Sequence, residues 1–224
     1  MLYQSAGVGI LSSSIVHEIE KLIKEIYLQI DATDFKMAKL LVDRLEDTVE
    51  RFSLLVKKTD IKKHTLGEIY EHALRFTRLR LGNHSIRVSI DGDFNIRCSA
   101  SINHATNVLL NVIDNSIYWI NNTREQNKII KLYATDKFLD GYGTIIIADS
   151  GPGFSSSPEY LIKPFVSTKP YSVGSGLGLY IADELMCGMK GLLSFPDFED
   201  ISECFADKVL RTGAVVALSF KKVK

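Results

Sequence analysis

Apolar positions in the first quarter of the chain recur every three or four residues, which is the spacing of one face of a helix. They are Val8, Leu11, Ile15, Ile19, Leu22 and Ile26 in residues 4–30, and Phe35, Ala38, Leu41, Leu45, Val49, Phe52 and Val56 in residues 35–57. At about 100° of rotation per residue, each set forms a single stripe. We therefore predict two long helices joined by DATD, with Asp34 as the cap of the second helix.

A hairpin of two such helices buries only one side of each helix. Two copies that pack together as a dimeric four-helix bundle would cover the remaining apolar surface. The polar run KKTDIKKH at 57–64 follows the second helix. We place a boundary in it, between a first domain of residues 1–60 and a second domain of residues 61–224.

After this run the pattern changes to alternating helices and strands. The predicted elements are a helix at about 66–81, two strands in SIRVSIDGDFNIRCSA around the turn DGD, the helix HATNVLLNVIDNSIYWI, strands at about 128–136 and 143–149, the helix LGLYIADELMCGM, and closing strands near 190–196 and 213–221. Strands interspersed with helices and ending in antiparallel pairs predict a layered α/β sandwich.

Composition narrows the class of protein. The 224 residues are 46% hydrophobic and 24% charged, as in ordinary globular proteins. The 27 basic and 27 acidic residues cancel, which argues against a nucleic-acid binder. Cys98, Cys187 and Cys204 are too few and too scattered for a disulfide framework or a zinc site. No apolar run reaches the roughly 18 residues of a membrane span, so we expect a soluble cytoplasmic chain, whole or part of a longer protein.

Two asparagines stand in the apolar helix VLLNVIDNSIYWI. Asn111 and Asn115 are one helical turn apart. Leaving a buried amide unpaired costs on the order of 1–3 kcal/mol, so each needs a partner. A structural hydrogen-bond network would satisfy them, and so would a pocket in which the amide oxygens hold a hard cation or its waters.

The strand TIIIAD runs directly into the turn DSGPG. Asp149 at the end of this strand is placed to accept a hydrogen bond, and Gly151 and Gly153 permit a tight turn with the backbone close to a ligand. By itself this pattern also fits an ordinary turn. The turn-rich segment 151–174 has little periodicity and is a candidate mobile loop.

Three glycines precede the last helix in GSGLGLYIADELM. Gly174, Gly176 and Gly178 leave backbone amides uncovered, and the N-terminus of a helix carries partial positive charge. The combination suits a phosphate. The spacing GxGxG, with no strand directly before it, is neither the dinucleotide fingerprint nor a P-loop.

The asparagine pair, DSGPG, PFVSTKP and GSGLG occur in this order. Together they resemble the N, G1, F and G2 boxes of the GHKL (Bergerat) ATP-binding fold, shared by sensor histidine kinases, DNA gyrase, Hsp90 and MutL. The resemblance covers residues 65–221 and implies an α+β fold for the whole chain. In the kinases a helical hairpin with a His-Glu box precedes the ATP-binding domain, and residues 4–57 resemble that hairpin.

The resemblance assigns roles to the residues of the four boxes. It implies ATP as ligand, with Asn115 holding Mg²⁺ on the triphosphate and Asn111 supporting it. Asp149 would accept the adenine amino group. Gly151 and Gly153 would shape the base pocket. Gly174, Gly176 and Gly178 would cradle the phosphates under a lid of residues 154–173. Phe165 and Lys169 would couple closure of this lid to the nucleotide.

The resemblance also explains an exposed histidine. His17 lies nearly opposite the apolar stripe of its helix, where a solvated surface would be the simplest interpretation. In the kinases this position is the phosphoacceptor, and Glu18 would take or share its Nδ1 proton. The phosphate would then pass to an Asp of a separate response-regulator receiver domain.

One position in the N box separates the two chemistries of the fold. The hydrolysing ATPases have Glu where this chain has Asn111, and an amide has no basic lone pair with which to activate water. This favours a kinase over an ATP-driven conformational machine of the gyrase, Hsp90 or MutL type. A nucleotide-binding dimer scaffold without catalysis is the third possibility.

Several positions depart from the kinase pattern. Lys21 stands where Thr or Asn is usual, which argues against a phosphatase activity; Leu22 replaces a proline, and Tyr118 replaces a basic residue. We interpret Tyr118 and Trp119 as core. The other histidines match no box and are interpreted as surface or structural: His64, His72, His84 and His104.

Overall fold

The chain divides into two compact units. The first comprises Met1–Lys57 with Phe165–Leu177, and the second comprises Lys58–Pro164 with Gly178–Lys224. The computed structural model describes residues 2–56, 60–123, 127–170, 175–201, 204 and 208–223, with the backbone alone for 2–15, 51, 52, 54–56, 208 and 209. Within these ranges no helix is both long enough and apolar enough to cross a membrane.

The first unit contains the predicted helical hairpin. Helix α1 spans Leu2–Asp31, and helix α2 spans Phe35–Val56 and packs against α1. Oδ1 of Asp34 accepts a hydrogen bond from the backbone N–H of Met37 at 3.0 Å, which confirms the predicted cap of α2.

The hairpin buries only part of the predicted stripes. Leu22, Ala38 and Leu41 are buried, whereas Phe35 is 64% and Val49 is 47% exposed. The side chains at five other stripe positions lie outside the described ones: Val8, Leu11, Ile15, Phe52 and Val56. A single hairpin therefore leaves apolar positions of α2 in water.

The second unit is a sheet with helices. In chain order its elements are β1 Lys62–Thr65, α3 Leu66–Asn83, β2 Arg87–Gly92, β3 Arg97–Ala100, α4 Ile102–Asn121, β4 Ile129–Thr135, β5 Tyr142–Asp149, α5 Pro158–Leu161, α6 Gly178–Gly188, β6 Leu192–Ser194 and β7 Val215–Lys221, with 3₁₀ turns at Phe198–Ile201 and Lys208–Thr212. The main sheet has the order β2-β4-β5-β7-β6. Strands β2 and β4 are parallel, and the other pairs are antiparallel. These layers confirm the predicted α/β sandwich.

Strand β5 is buried on both faces. Ile146 and Ala148 pack on one side in a cluster that includes Ile201 and Leu210 of the two 3₁₀ turns. Because side chains alternate along a strand, Ile147 and Asp149 point to the other side, where a side chain of α4 contacts Asp149. Burial on both faces explains why TIIIAD is a continuous apolar run instead of an alternating one.

Two strands flank the turn DGD, as predicted, but they do not pair with each other. Strand β2 joins the main sheet beside β4, whereas β3 pairs with β1 in a separate two-stranded sheet. Gly92 ends β2 with φ of 91°, and a Cβ there would overlap the backbone of Ala134 on β4. The close fit against β4 directs the two strands apart.

Strand β1 was not predicted, because it lies in the polar run assigned to the domain boundary. Lys62 and Lys63 are exposed, and His64 and Thr65 are half-buried. Such a strand has no alternation of apolar and polar residues by which it could be predicted. Its extended conformation is stabilised by antiparallel pairing with β3.

Candidate functional site

Asp149 is the most constrained polar side chain of the candidate site. It ends β5 and is only 4% exposed. Its Oδ2 accepts a hydrogen bond from Oγ of Ser116 at 2.6 Å. Its Oδ1 accepts from the backbone N–H groups of Gly151 at 2.8 Å and Ala214 at 3.3 Å. Three separate segments, α4, the turn after β5 and the start of β7, thus fix one carboxyl group.

Glycines make this close packing possible. A Cβ on Gly213 would overlap the carbonyl oxygen of Asp149, and a Cβ on Gly151 would lie 2.8 Å from Oδ1 of Asp149. Gly153 has φ of 77°, and a Cβ there would lie 2.9 Å from the carbonyl oxygen of Thr212. The DSGPG turn and the start of β7 are therefore fitted together around the carboxylate.

Burial and hydrogen bonding act on Asp149 in opposite directions. Desolvation raises the pKa of Asp149 above its usual value, because the charged form loses its hydration. The hydrogen bonds from Ser116, Gly151 and Ala214 lower the pKa, since they stabilise the ionised form. A group held this way is a candidate for recognition of a polar ligand atom.

Asn111 and Asn115 lie on α4 one turn apart, as predicted, and both are half-buried. Ser116, which follows directly, is the residue that contacts Asp149. Between the two asparagines, Asp114 forms an ion pair with Arg80 of α3 at 2.8 Å. Helix α4 therefore carries both predicted N-box asparagines and one of the contacts of Asp149.

The predicted phosphate cradle includes the start of α6. Gly178 is the first residue of α6, and the first turn of the helix contains no acidic residue. An anion there would meet the partial positive charge of the helix N-terminus without a competing carboxylate in that turn. Gly174 lies outside the described residues.

Phe165 and Lys169 of the predicted F box belong to the first unit, as does Gly176, which lies against Phe165. Phe165 has φ of 64° and Gly176 has φ of 71°. A Cβ on Gly176 would lie 2.5 Å from the carbonyl carbon of Phe165. Lys169 donates its backbone N–H to Oγ of Ser167 at 3.1 Å, in a local turn. In the same unit, Oγ of Ser175 donates to Oδ2 of Asp47 on α2 at 3.2 Å.

The predicted lid starts in the second unit. Phe154 stacks edge-on against Phe195 with ring centroids 5.2 Å apart. Helix α5 follows and is four residues long. An aromatic contact therefore anchors the beginning of this segment near the end of β6.

His17 is exposed on α1, and its neighbour Glu18 is engaged with α2. Oε1 of Glu18 accepts a hydrogen bond from Arg44 at 3.1 Å, and each side chain is 13% exposed. Lys21 lies 3.9 Å from the other oxygen of Glu18 and 4.0 Å from Glu25. Glu18 is thus a half-buried member of an ion-pair cluster.

The structure corrects the interpretation of Tyr118 and Trp119 as core and shows the role of Leu22 at the place of the usual proline. Tyr118 and Trp119, expected in the core, are only half-buried and contact each other edge-on at 5.0 Å. Leu22, at the place of the usual proline, is fully buried within an uninterrupted α1. Leu22 therefore serves the packing of the hairpin.

Sequence reasoning missed Ser116, Gly213, Ala214 and Arg44. Ser116 carried a usable signal, because it is a small polar residue in an apolar helix and directly follows the second asparagine. The other three lie far along the chain from the residues they contact. Only the folded structure brings them together.

Comparisons with known proteins identify relatives of this chain. The sequence model of the family described as "Histidine kinase-, DNA gyrase B-, and HSP90-like ATPase" matches residues 100–222. The sensor protein kinase PilS of Pseudomonas aeruginosa is 25% identical over 217 residues, which cover 89% of this chain and 40% of PilS. The chain thus spans well under half of the length of this relative.

Solved structures share the fold. Histidine kinase AdeS of Acinetobacter baumannii superposes with a TM-score of 0.65 at 16% identity, covering 93% of this chain and 98% of AdeS. Histidine kinase ThkA, in complex with response regulator protein TrrA, superposes with a TM-score of 0.68 at 17% identity, covering 99% of this chain and 64% of ThkA. The predicted resemblance to the catalytic core of sensor histidine kinases is confirmed, and the chain belongs to the histidine kinase-, DNA gyrase B- and HSP90-like ATPase family.

Proposed function

We propose that this chain is a histidine kinase core that phosphorylates His17 from Mg-ATP. In this proposal residues 61–224 bind the nucleotide, and residues 1–60 form the dimerisation and phosphotransfer hairpin. The observation that carries the proposal is Asp149, a buried carboxylate held by three donors at the G1 position of an ATPase-family fold.

The base would bind at Asp149. Its carboxylate offers about four acceptor positions, of which three are used within the protein, so one remains for the adenine amino group. By the resemblance, Gly151 and Gly153 would shape the base pocket. In the structure their missing side chains leave room for Asp149 and for the backbone of Thr212, which holds the carboxylate in place. The remaining acceptor position of Asp149 fits the amino group of an adenine.

The phosphates of the nucleotide would bind at the N-terminus of α6. By the resemblance, Gly174, Gly176 and Gly178 would cradle them, and Phe165 and Lys169 would couple lid closure to the nucleotide. Among the described residues, no group of three His, Cys, Asp or Glu side chains could hold a metal by itself. By the resemblance, Asn115, supported by Asn111, would hold Mg²⁺ together with triphosphate oxygens, as suits a cation that keeps several outer ligands.

His17 would accept the phosphoryl group. The lone pair of Nε2 attacks the γ-phosphorus, the bond to the bridging oxygen breaks, and ADP leaves. The Nδ1 proton is taken or shared by Glu18, a carboxylate adjoining a neutral imidazole. His17 is exposed, as a group that must meet a nucleotide has to be. The phosphate would then move to an Asp of a receiver domain, a partner class also represented by TrrA in the ThkA complex.

The hairpin would act as a homodimer. Large apolar side chains on both helices are exposed in one copy: Val16, Ile23, Tyr27, Leu28, Ile30, Phe35, Met37, Val42 and Val49. A second hairpin would bury many of them in a four-helix bundle. We also place the protein's site of action in the cytoplasm, where ATP and receiver domains are found.

The test is incubation with γ-labelled ATP and Mg²⁺. The wild-type protein should acquire acid-labile, base-stable label, and His17→Ala should lose it. His84→Ala, which removes another exposed histidine, is the matched control and should label normally. Equal labelling of the His17→Ala variant would overturn the assignment of His17.

A nucleotide-binding scaffold without catalysis has one observation in its favour. Glu18 already accepts a hydrogen bond from Arg44, which competes with any role at His17. For a scaffold, ADP and ATP would bind at Asp149, no label would appear on the protein, and nucleotide would change the shape of the dimer. Small-angle scattering with and without nucleotide, together with the labelling assay, separates the two functions.

A further inference from the structure

Ser116 lies on α4, the helix that also carries Asn111 and Asn115. Among the described residues that hydrogen-bond Asp149, it is the one that does so through its side chain. The bond is 2.6 Å long, and Ser116 is 4% exposed. A serine hydroxyl has one hydrogen to donate. Since that hydrogen is directed at Oδ2 of Asp149, the oxygen of Ser116 can take part in further hydrogen bonds only as an acceptor.

The carboxylate is restricted in the same way. An ionised aspartate accepts hydrogen bonds and cannot donate them. The backbone donors of Gly151 and Ala214 are directed at Oδ1, so the remaining acceptor position lies on Oδ2, beside the hydroxyl of Ser116. Ser116 and Asp149 together therefore offer acceptors and no free donor.

We propose that Ser116 is a residue that determines which nucleotide base binds. Together with Asp149 it forms a surface that only accepts hydrogen bonds. Such a surface binds a purine with a 6-amino group and rejects a purine with a 6-oxo group. An amino group donates to this surface, whereas an oxo oxygen would face two acceptors with no hydrogen between them. The inference rests on the proposed nucleotide site and concerns its choice of base. The physical reason for the rejection is the cost of leaving buried polar groups unpaired.

Ser116 also favours the ionised form of the carboxylate. Its hydrogen bond is among the influences that lower the pKa of Asp149, against the desolvation that raises it. The other groups acting on Asp149 in the described structure are the backbone amides of Gly151 and Ala214, and none of these three is a charged side chain. Without Ser116, Asp149 becomes protonated at a higher pH. A protonated carboxyl group donates, so it would then accept a 6-oxopurine.

The experiment measures dissociation constants for ADP and for inosine diphosphate, with Mg²⁺, by calorimetry from pH 5.5 to 8.5. Wild-type protein should prefer ADP by about a hundredfold or more at neutral pH. In Ser116→Ala the ratio of the two dissociation constants should fall by about tenfold, because the hydrogen bond from Ser116 to the charged Asp149 is lost. The decline of ADP affinity with falling pH should also begin at a higher pH in the variant.

Two further variants separate specificity from folding. Ser219→Ala removes another buried hydroxyl, one bonded to Thr144 at 2.9 Å on the neighbouring strand, and should leave the ADP preference and its pH profile unchanged. Ser116→Cys nearly preserves the side-chain volume but donates weakly, and should narrow the preference even if Ser116→Ala fails to fold.

The outcomes are distinguishable from those of the proposed function. If wild-type protein binds neither nucleotide, the nucleotide site itself is refuted. If it binds ADP and the Ser116 variants keep the wild-type preference and pH profile, only the role of Ser116 is overturned. Equal loss of ADP and inosine diphosphate affinity in Ser116→Ala would assign Ser116 a structural role and would also overturn the inference.

Discussion

Arg44 of α2 donates a hydrogen bond to Glu18 of α1 across 3.1 Å, and each of the two side chains is only 13% exposed. This ion pair joins the helices of the hairpin next to His17. Because both charges are largely out of water, removing one leaves the other uncompensated.

We therefore expect Arg44→Ala to lower the free energy of unfolding by about 1–3 kcal/mol. Urea unfolding at a fixed protein concentration measures this, since dimerisation would couple stability to concentration. Lys21→Ala is the control, because Lys21 is 50% exposed and 3.9 Å from Glu18, and it should cost less than about 1 kcal/mol.

A double-mutant cycle tests whether the pair acts as a unit. Arg44→Ala combined with Glu18→Gln should cost less than the sum of the single changes, by about 0.5–3 kcal/mol. Additive costs would show that Arg44 stabilises the hairpin through packing of its side chain alone.

The elements that sequence predicted well are those with strong periodicity. The two hairpin helices, α4 and the strand before DSGPG follow from apolar spacing and turn residues close together in the chain. The boxes around Asn115 and Asp149 were also identifiable, because each is contiguous. Local signals of this kind are complete within about a dozen residues.

What sequence missed depends on contacts between distant segments. Ser116 and Asp149 are 33 residues apart, and Ala214 is 65 residues from Asp149. Ile201 and Leu210 lie in a stretch of sequence with little periodicity, yet both pack in the cluster on one face of the sheet. Similarly, nothing in the spacing of SIRVSIDGDFNIRCSA shows that its strands belong to two different sheets.

Gly213 tests the close packing around Asp149. Gly213→Ala would place a methyl group on the carbonyl oxygen of Asp149, and backbone cannot move aside as a flexible side chain does. We expect a loss of about 3 kcal/mol or more in the free energy of unfolding, with loss of nucleotide binding.

The matched control is Gly82→Ala in α3. A Cβ on Gly82 would meet nothing within 4 Å, and the position lies in a helix. Alanine there should leave stability unchanged or raise it by up to about 1 kcal/mol. Similar effects of the two substitutions would argue against a special fit at Gly213.

Asp149→Asn separates stability from binding. An amide can accept from Gly151 and Ala214 with its oxygen and donate to Ser116 with its nitrogen, so it can keep the three hydrogen bonds. The folded pKa of Asp149 is raised, so its contribution to stability is greatest in acid and is lost as pH rises through that pKa.

The neutral amide does not suffer this loss. We expect Asp149→Asn to be at least as stable as wild type at pH 7, with the difference shrinking in acid, and to bind ADP much more weakly. Urea unfolding at several pH values and calorimetry with ADP measure the two effects. A variant that is less stable than wild type at pH 7 would contradict the sign expected from burial.

Asn111 tests the choice between kinase and hydrolase. Asn111→Glu would supply the carboxylate that the hydrolysing members of the fold have at this position. If the rest of the site is that of a hydrolase, steady-state phosphate release should rise; for a kinase site we expect no more than a slight rise and a loss of His17 labelling. Asn107→Glu, one turn earlier on α4, is the control, because Asn107 donates to the backbone of Asn103 within its own helix.

The exposed stripe of α2 tests the dimer. Phe35 is 64% and Val49 is 47% exposed in one copy, and the two residues belong to one predicted apolar stripe. Charges at Phe35→Glu and Val49→Glu would be buried without partners in a four-helix bundle, so we expect the double variant to sediment as a monomer. Leu79→Glu on α3, at a residue 82% exposed and in the other unit, should leave the wild-type oligomeric state unchanged. Sedimentation equilibrium at micromolar concentrations gives the result, and a double variant that remains dimeric would place the dimer interface on another surface.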